Sequence, residues 1–298
     1  MSCVRATLGA CRDGGFSLPP ARAIPESYPE LRADSGVQVG SLEGKVALVT
    51  GSGRGIGRGI ALSLASRGAS VVVNYANTSS GAQETVAQIE KLGRKAFAIK
   101  ADVTKLAEVQ RLFTEAVAHF GRLDIVMSNS GTENFQHADK ITEEEYDSVF
   151  NLNTKAQFFV AQQAYIHLEQ GGRIILMSSV AANLSVPNHA LYAGSKAAVE
   201  GFTRSFAADC GPSKAITVNA IAPGGVKTDM FDKNAWHYSP GATPESSPES
   251  IEAGIAKMCP LQRCAVPEDI GRVVSFLASR ESEWINGQVI KLSGGSIA

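Results

Sequence analysis

Short apolar runs alternate with longer amphipathic segments from Lys45 to the end of the chain. Each short run is rich in β-branched residues and bounded by Gly, Asp, Asn or Ser, which is typical of strands buried on both faces of a parallel sheet. Seven runs fit this description, at residues 45–50, 70–75, 96–101, 124–128, 173–178, 215–221 and 289–292. Segments of helical length separate them, for example 55–67, 80–92, 105–119, 151–169 and 189–209. The alternation predicts a single α/β domain of Rossmann type, with a doubly wound parallel sheet of about seven strands and helices on both faces.

Residues 1–41 lack this pattern. They contain "DGGFSLPPARAIPESYPE", which is rich in Pro, Gly and Ser and has no apolar period. We therefore predict a disordered N-terminal extension, followed by one domain over 42–298. Arg5 and Arg12, with few acids nearby, leave a transit peptide as an alternative, although no amphipathic helix follows them.

Composition narrows the class of protein. A chain of 298 residues that is 44% hydrophobic suits one large domain, and a formal charge of −1 gives no electrostatic reason for a nucleic-acid or anionic-membrane partner. No run reaches the roughly 18 apolar residues that span a bilayer. The cysteines show no paired spacing, so we expect reduced thiols in a cytoplasmic protein; they are Cys3, Cys11, Cys210, Cys259 and Cys264. The histidines show no metal-ligand spacing, and no metal site is expected.

A glycine-rich turn follows the first predicted strand, in "TGSGRGIGRGIA". Glycine lets the backbone approach a pyrophosphate, and the start of the next helix supplies free N–H groups. Glycine-rich loops occur in other contexts too, but a position inside a strand–helix–strand unit favours a dinucleotide site. The predicted binding residues of this turn are Gly51, Gly55, Ile56 and Gly57.

The second predicted strand ends without an acid that would grip a ribose 2′-hydroxyl, and the next acid is Glu84. Because a carboxylate would repel a 2′-phosphate, its absence favours NADP (NADPH) over NAD. Arg54 is the expected phosphate ligand, with Asn74 as a hydrogen-bond donor. Alternatively, Arg54 is a solvated loop charge.

Two polar residues follow later strands. Asp102 is expected to accept a hydrogen bond from the adenine amine, or else to cap the next helix. Asn129, in "SNSG", lies at the sheet edge where open α/β folds bind ligands.

Tyr192 and Lys196 are four residues apart and so share one helix face. An ammonium beside a tyrosine stabilises the phenolate, so we expect Lys196 to lower the pKa of Tyr192 from about 10 and make it a usable acid or base. Ser178 and Ser179 end the fifth strand and are both candidate catalytic residues, and Ser179 can donate to a substrate carbonyl. The Tyr–Lys spacing alone is common; with the serine and a dinucleotide fold it predicts a catalytic site.

These motifs resemble the short-chain dehydrogenase/reductase family over about residues 43–295. The matching motifs are "TGSGRGIG" (50–57), Asp102-Val103, "NSG" (129–131), Asn153 in "FNLNT", Ser179, Tyr192 with Lys196, and "APGGVKT" (222–228). The resemblance implies that Asn153 completes a catalytic tetrad by holding a water that relays protons to Lys196. It also implies that Tyr192 and Lys196 contact the nicotinamide ribose, while Val226 and Thr228 bind the carboxamide and phosphates. The sequence departs from the family at Ser128–Gly131 and Ser293–Gly295, where "NNAG" and "DGG" are usual.

Within the family, "VVNYAN", "LDIVMSNSG" and "APGGVKTDM" resemble the fungal ketoreductases of polyketide and melanin pathways, including hydroxynaphthalene and versicolorin reductases. This implies NADPH-dependent reduction of a flat, polycyclic or phenolic ketone in secondary metabolism. Two alternatives stay open: an NAD(P)-linked alcohol dehydrogenase acting on a terpenoid or steroid-like alcohol, and a nucleotide-sensing protein without catalysis. By the same analogy we expect a homo-oligomer, a tetramer or dimer, formed through helices 151–169 and 189–209.

Residues 229–258, called here the lid segment, are predicted to cover the substrate. The candidate contacts, each of which could instead pack the segment onto the body, are Met230, Phe231, Trp236, Tyr238 and Met258. Glu133, two residues after "NSG", either faces the pocket or is an exposed loop charge, and we favour the second.

Overall fold

The computed structural model describes residues 40–297. All seven predicted strands form: β1 (Val46–Val49), β2 (Ser70–Tyr75), β3 (Ala96–Lys100), β4 (Ile125–Ser128), β5 (Arg173–Met177), β6 (Thr217–Pro223) and β7 (Val289–Leu292). They lie in one parallel sheet of order β3-β2-β1-β4-β5-β6-β7. The order reverses between β1 and β4, and the predicted doubly wound fold is confirmed.

Helices connect the strands and cover both faces of the sheet. They are α1 (Gly55–Ser66), α2 (Ser79–Lys91), α3 (Leu106–Phe120), α4 (Glu143–Phe150), α5 (Ala156–His167), α6 (Ala190–Lys214), α7 (Asp229–Asn234), α8 (Pro248–Met258) and α9 (Pro267–Ala278). A π-helical turn, Asn151–Lys155, joins α4 to α5.

The alternation of side chains along a strand explains the two core layers. In β1, Val46 and Leu48 pack with residues of α3, α5 and α6, whereas Ala47 and Val49 pack with residues of α1, α2 and α9. All four side chains are buried, because helices cover both faces of a parallel sheet.

Two helices differ from their predicted extent. The helix predicted to begin at residue 151 is preceded by α4, which starts with a capping box between Thr142 and Glu145. That Thr-x-x-Glu signal was present in the sequence. Helix α6 continues past the predicted end at 209 and includes Pro212, and it stops before Ala215, whose φ is 50°.

The predicted disordered extension at 1–41 lies outside the described residues except for Gly40 and Ser41, and Cys3 and Cys11 lie outside them as well. Cys210, Cys259 and Cys264 are buried free thiols. Between residues 40 and 297, no helix has both the length and the apolar character to cross a membrane.

Candidate active site

A cleft of about 1000 Å³ follows the edge of the sheet formed by the carboxyl ends of its strands. It includes the point between β1 and β4 where the strand order reverses, at which open α/β sheets bind ligands. Every candidate catalytic or cofactor residue lines this cleft except Asn153, which is fully buried.

The turn between β1 and α1 brings backbone to the wall of the cleft. Gly51 and Gly55 have φ angles of 61° and 54°, in the region that favours glycine. Gly57 has no room for a side chain, because a Cβ would lie 2.6 Å from Asn129 Nδ2 and 2.9 Å from Ser52 Cα. The N–H groups of the first helical turn, that of Ile56 included, have no acceptor within the helix. Among the described residues no side chain caps this end and no acid lies in its first turn. The turn therefore fits an anion such as a pyrophosphate.

Asn129 ties the end of β4 to this turn. Its Nδ2 donates to the carbonyl oxygens of Thr50 and Gly51, at 2.9 and 3.2 Å. Its backbone N–H donates to Thr50 Oγ1 at 2.9 Å. Asn129 thus holds the glycine turn in position against the cleft.

Asn74 contacts the same turn from β2, and its predicted role is wrong. Its Oδ1 accepts from the Gly51 N–H at 3.2 Å, and its Nδ2 donates to the carbonyl oxygens of Ala101 and Ile99 at 3.1 and 3.3 Å. The side chain is buried with its donors used by backbone, so Asn74 is no donor to a 2′-phosphate in this arrangement. It braces β2, β3 and the turn instead.

Arg54 extends from the glycine turn across the mouth of the cleft. Its Nη1 lies 3.0 Å from Asp229 Oδ2, at the start of α7, and both side chains are exposed. Exposed ion pairs are weak, so this guanidinium can exchange Asp229 for another anion. Asp229 lies 175 residues further along the chain, so local sequence spacing gives no sign of this pair.

Asp102 does not cap the following helix, since α3 begins after Lys105. Its Oδ1 accepts from the N–H and hydroxyl of Thr104, at 3.0 and 2.7 Å. Burial raises the pKa of Asp102, but the hydrogen bonds from Thr104 and the charge of Lys105 outweigh it and hold the pKa below its usual value. Asp102 is therefore an ionised acceptor at the end of β3.

The segment after β6 forms the opposite wall. Val226 pairs with Ala265 in a single parallel bridge, in which the Lys227 N–H donates to the Ala265 carbonyl at 2.9 Å. In such a bridge the N–H and C=O of Val226 itself point away from Ala265. Thr228 Oγ1 caps α7 by accepting from the Phe231 N–H at 3.3 Å.

Tyr192 lies in the first turn of α6, next to the end of β5. Its side chain is buried, and the nearby Ser179 hydroxyl lowers its pKa. Ser179 Oγ also accepts from the Ala181 N–H at 3.2 Å, which fixes the serine at the start of a short 3-10 turn. The fold thus brings the two predicted hydroxyls together.

Lys196 follows one helical turn later, and its side chain is 2% exposed. Its Nζ donates to the Met177 carbonyl at 3.0 Å and lies 5.7 Å from the centre of the Tyr192 ring. Burial lowers the pKa of Lys196 to about 8, while the Glu133 carboxylate opposes this shift. Lys196 is therefore mostly protonated at neutral pH.

The pKa of Tyr192 is raised, contrary to the prediction that Lys196 lowers it. Burial is the largest cause, the negative charge of Glu133 adds to it, and the hydrogen bond with Ser179 offsets it only in part. The ammonium of Lys196 is directed at the Met177 carbonyl rather than at the phenol. Tyr192 consequently holds its proton at neutral pH.

Ser178, predicted as catalytic, does not join this group. Its Oγ is directed at Glu200 Oε1, at 3.1 Å, and at the Lys196 carbonyl oxygen, at 3.3 Å. Both partners are on α6, so Ser178 attaches that helix to the end of β5. Its neighbour Ser179 takes the position beside Tyr192.

Asn153 lies in the π-helical turn and joins two site segments. Its Oδ1 accepts from the Thr132 N–H at 2.8 Å, and its Nδ2 donates to the Thr132 carbonyl at 2.9 Å and to Ser195 Oγ at 3.1 Å. A Cβ on Gly131 would lie 3.2 Å from Asn153 Oδ1 and 3.3 Å from Lys196 Nζ. The asparagine and the lysine thus both lie against Gly131, while the relay through Asn153 stays a prediction.

Glu133 is not the exposed loop charge that the sequence analysis favoured. It lines the cleft, where its Oε1 lies 3.0 Å from the Tyr238 hydroxyl and its Oε2 accepts from Asn234 Nδ2 at 2.8 Å. Burial raises the pKa of Glu133, and the hydrogen bonds from Tyr238 and Asn234 and the charge of Lys196 offset only part of that rise. The one sequence signal for this site residue was its place two residues after "NSG".

The candidate residues of the lid segment divide into two groups. Met230, Phe231, Tyr238 and Met258 line the cleft. Trp236 instead stacks on His237, with ring centres 3.6 Å apart. Four of the five candidates, three with apolar side chains and one with a phenol, therefore line the cleft.

Comparison with known proteins identifies the family. The family profile described as "Enoyl-(Acyl carrier protein) reductase" matches residues 51–296. The hydroxynaphthalene reductase-like protein Arp2 of Metarhizium acridum is 70% identical over 258 residues, which are 86% of this chain and 96% of that protein. The chain belongs to the short-chain dehydrogenase/reductase family.

Further members of the family support this assignment. The tetrahydroxynaphthalene reductase PfmaG of Pestalotiopsis fici is 58% identical over 85% of this chain and 92% of its own length. A solved short-chain dehydrogenase of Burkholderia cenocepacia in complex with NADP has a TM-score of 0.77 and 36% identity, covering 86% of this chain and 99% of its own. The resemblance read from the motifs is confirmed.

Proposed function

We propose that the protein reduces a ketone to an alcohol with NADPH, acting on a polycyclic phenolic intermediate of fungal secondary metabolism, of the hydroxynaphthalene kind. The observation that carries this proposal is the group of Ser179, Tyr192 and Lys196 at the sheet edge. It occurs in a chain that is 58% to 70% identical to relatives named hydroxynaphthalene or tetrahydroxynaphthalene reductases.

The backbone and the charged side chains that line the cleft are suited to a dinucleotide. The glycine turn at Gly51–Gly57 and the start of α1 suit the pyrophosphate, since Gly57 leaves no space for a Cβ. Asp102 suits the adenine amine, and Val226 with Thr228 suits the nicotinamide end. When bound, the reduced nicotinamide supplies the hydride.

In the proposed reaction Tyr192 Oη donates the proton to the carbonyl oxygen, and Ser179 Oγ donates a hydrogen bond to the same oxygen. The raised pKa of Tyr192 keeps its hydroxyl in the proton-donating form at neutral pH, as reduction requires. The Lys196 ammonium offsets the negative charge left on the phenolate. Asn153 keeps its proposed relay role.

The substrate half of the cleft suits a flat aromatic ring. Phe231 and Tyr238 offer aromatic faces, and Met230 and Met258 offer adaptable apolar side chains. The lid role of residues 229–258 is part of this proposal.

Purified protein should oxidise NADPH in the presence of ketones of the polyhydroxynaphthalene series, and much more slowly with aliphatic ketones. The assay follows the loss of nicotinamide absorbance, and the reverse reaction is assayed with terpenoid and steroid-like alcohols. Turnover of those alcohols alone would establish the dehydrogenase alternative. Tight NADPH binding without turnover in either direction would establish the nucleotide-sensing alternative.

Arg54→Ala should raise the KM for NADPH about tenfold and leave the KM for NADH unchanged, because only NADPH carries the 2′-phosphate that the guanidinium would bind. Initial rates with each cofactor measure this. Arg280→Ala, which removes an arginine outside the cleft, is the matched control. An equal loss with both cofactors would mean that Arg54 does not read the phosphate.

The homo-oligomer, a tetramer or dimer, and the cytoplasmic location stay predictions. Exposed apolar side chains on two of the helices near the predicted contact, Tyr146 on α4 and Ile166 on α5, support the first. Light scattering measures it directly.

A further inference from the structure

A hydrogen-bonded chain connects the lid segment to the catalytic helix. His189, which precedes α6, has its Nδ1 2.8 Å from the Asn134 carbonyl oxygen. A carbonyl only accepts, so Nδ1 carries a hydrogen and Nε2 of the neutral ring is an acceptor. The Tyr238 hydroxyl lies 2.9 Å from that Nε2 and 3.0 Å from Glu133 Oε1.

The hydrogens in this chain can be counted. Tyr238 has one hydroxyl hydrogen, but a Glu133 carboxylate and a neutral His189 both require it. One added proton gives every contact a donor. On Glu133 Oε1, it lets Glu133 donate to Tyr238 and Tyr238 donate to His189; on His189 Nε2, it reverses the direction of both bonds.

Burial decides where this proton resides. A protonated Glu133 with a neutral His189 carries no charge, whereas the alternative buries a carboxylate and an imidazolium. Burial also lowers the pKa of His189 to about 4 and raises that of Glu133. When every contact among Glu133, Tyr238 and His189 has a donor, the added proton is therefore on Glu133.

A stack of rings joins the same segments. Phe135 stacks on His189, with centres 4.2 Å apart, and on His237 of the lid segment, at 3.8 Å. The His189 ring in turn lies 4.5 Å from the ring of Tyr192. Residues 234–238 are thus held against residues 133–135 and 189 by rings as well as hydrogen bonds.

We propose that protonated Glu133 is a positioning residue that holds the lid segment, through Asn234 and Tyr238, against His189 and over Tyr192. Only the kinetic consequence rests on the proposed function. As pH rises and Glu133 loses its proton, Tyr238 can serve only one of its two acceptors and the lid segment loosens. The groups facing this cluster are Tyr192 and Lys196 on α6, His189 before it, and His237 and Tyr238 on the lid segment.

The first test needs neither substrate nor cofactor. The chain has two tryptophans, Trp236 in the lid segment and Trp284, which is 96% exposed, so Trp284→Phe leaves Trp236 as the reporter. The emission of Trp236 should show a transition at a pH above the usual glutamate pKa of 4.5. Glu133→Gln should abolish this transition, because the amide donates to Tyr238 at every pH. A transition from His237 should remain in both proteins.

The second test is kinetic. Glu133→Ala should raise the KM for the ketone about tenfold with a smaller change in kcat, since it removes hydrogen bonds to the lid segment and no reacting group. Glu133→Gln should keep the low KM and remove the rise in KM that accompanies deprotonation of Glu133. The KM for NADPH should stay unchanged in both, and Glu90→Gln, at an exposed position on α2, is the matched control.

The proposal is overturned if the glutamine variant loses as much as the alanine variant, or if the Trp236 transition persists in Glu133→Gln. A transition that depends on Glu133 in a protein that reduces no ketone would support the positioning role while contradicting the proposed function. The two failures are therefore distinguishable.

Discussion

Replacing Tyr192 by phenylalanine is expected to lower kcat for ketone reduction about a thousandfold and to leave the affinity for NADPH nearly unchanged. General acid catalysis commonly contributes factors of about 10² to 10⁴. The neighbouring Ser178 hydroxyl does not replace the phenol, because it is directed at α6. Phenylalanine keeps the ring beside His189, so the fold and the cofactor half of the cleft are preserved.

The measurement is kcat at saturating ketone and NADPH, together with a fluorescence titration of NADPH. Tyr146→Phe, which removes the hydroxyl of an exposed tyrosine on α4, is the matched control and should behave like the unmodified protein. A Tyr192→Phe variant that retains kcat within about threefold would show that another group donates the proton.

Gly57→Ala is expected to weaken NADPH binding about a hundredfold or more and to lower the Tm. Alanine is the better helix former by roughly 1 kcal/mol, so propensity alone predicts stabilisation. The contacts outweigh it, because the new Cβ would lie 2.9 Å from Ser52 Cα and 2.6 Å from Asn129 Nδ2. Relief of that overlap moves the glycine turn away from the position in which it faces a pyrophosphate.

Calorimetry of NADPH binding and a thermal unfolding curve measure the two effects. Gly201→Ala is the matched control, since a Cβ at this α6 position would meet no described atom within 4 Å. Its Tm should be equal or slightly higher. Unchanged NADPH affinity in Gly57→Ala would mean that the turn does not bind the cofactor.

The strands and most helices follow from local patterns. Each strand is a short apolar run that is covered by helices. Its hydrophobic pattern and the residues that bound it therefore locate it in the sequence without knowledge of the fold. Helix α4 was missed because its apolar content is low, although its capping box is readable. The glycine turn, Tyr192 with Lys196, and Ser179 are likewise local motifs, and all of them line the cleft.

What a side chain touches across the sheet edge depends on segments far apart in sequence. Asn74 had the chemistry of a phosphate donor, but its amide is used by Gly51 and Ala101. Ser178 and Ser179 are equivalent in the sequence, and the direction of β5 places only one beside Tyr192.

The pKa of Tyr192 separates what the sequence determines from what the tertiary structure decides most clearly. The spacing of Tyr192 and Lys196 places both on one helix face, and that much is a property of the sequence. Whether the pKa of the phenol rises or falls depends on desolvation and on charges from other segments. Burial and Glu133, which is brought in by the loop after β4, raise it. Desolvation and charge interactions depend on which segments surround the phenol, so only the tertiary structure decides whether its pKa rises or falls.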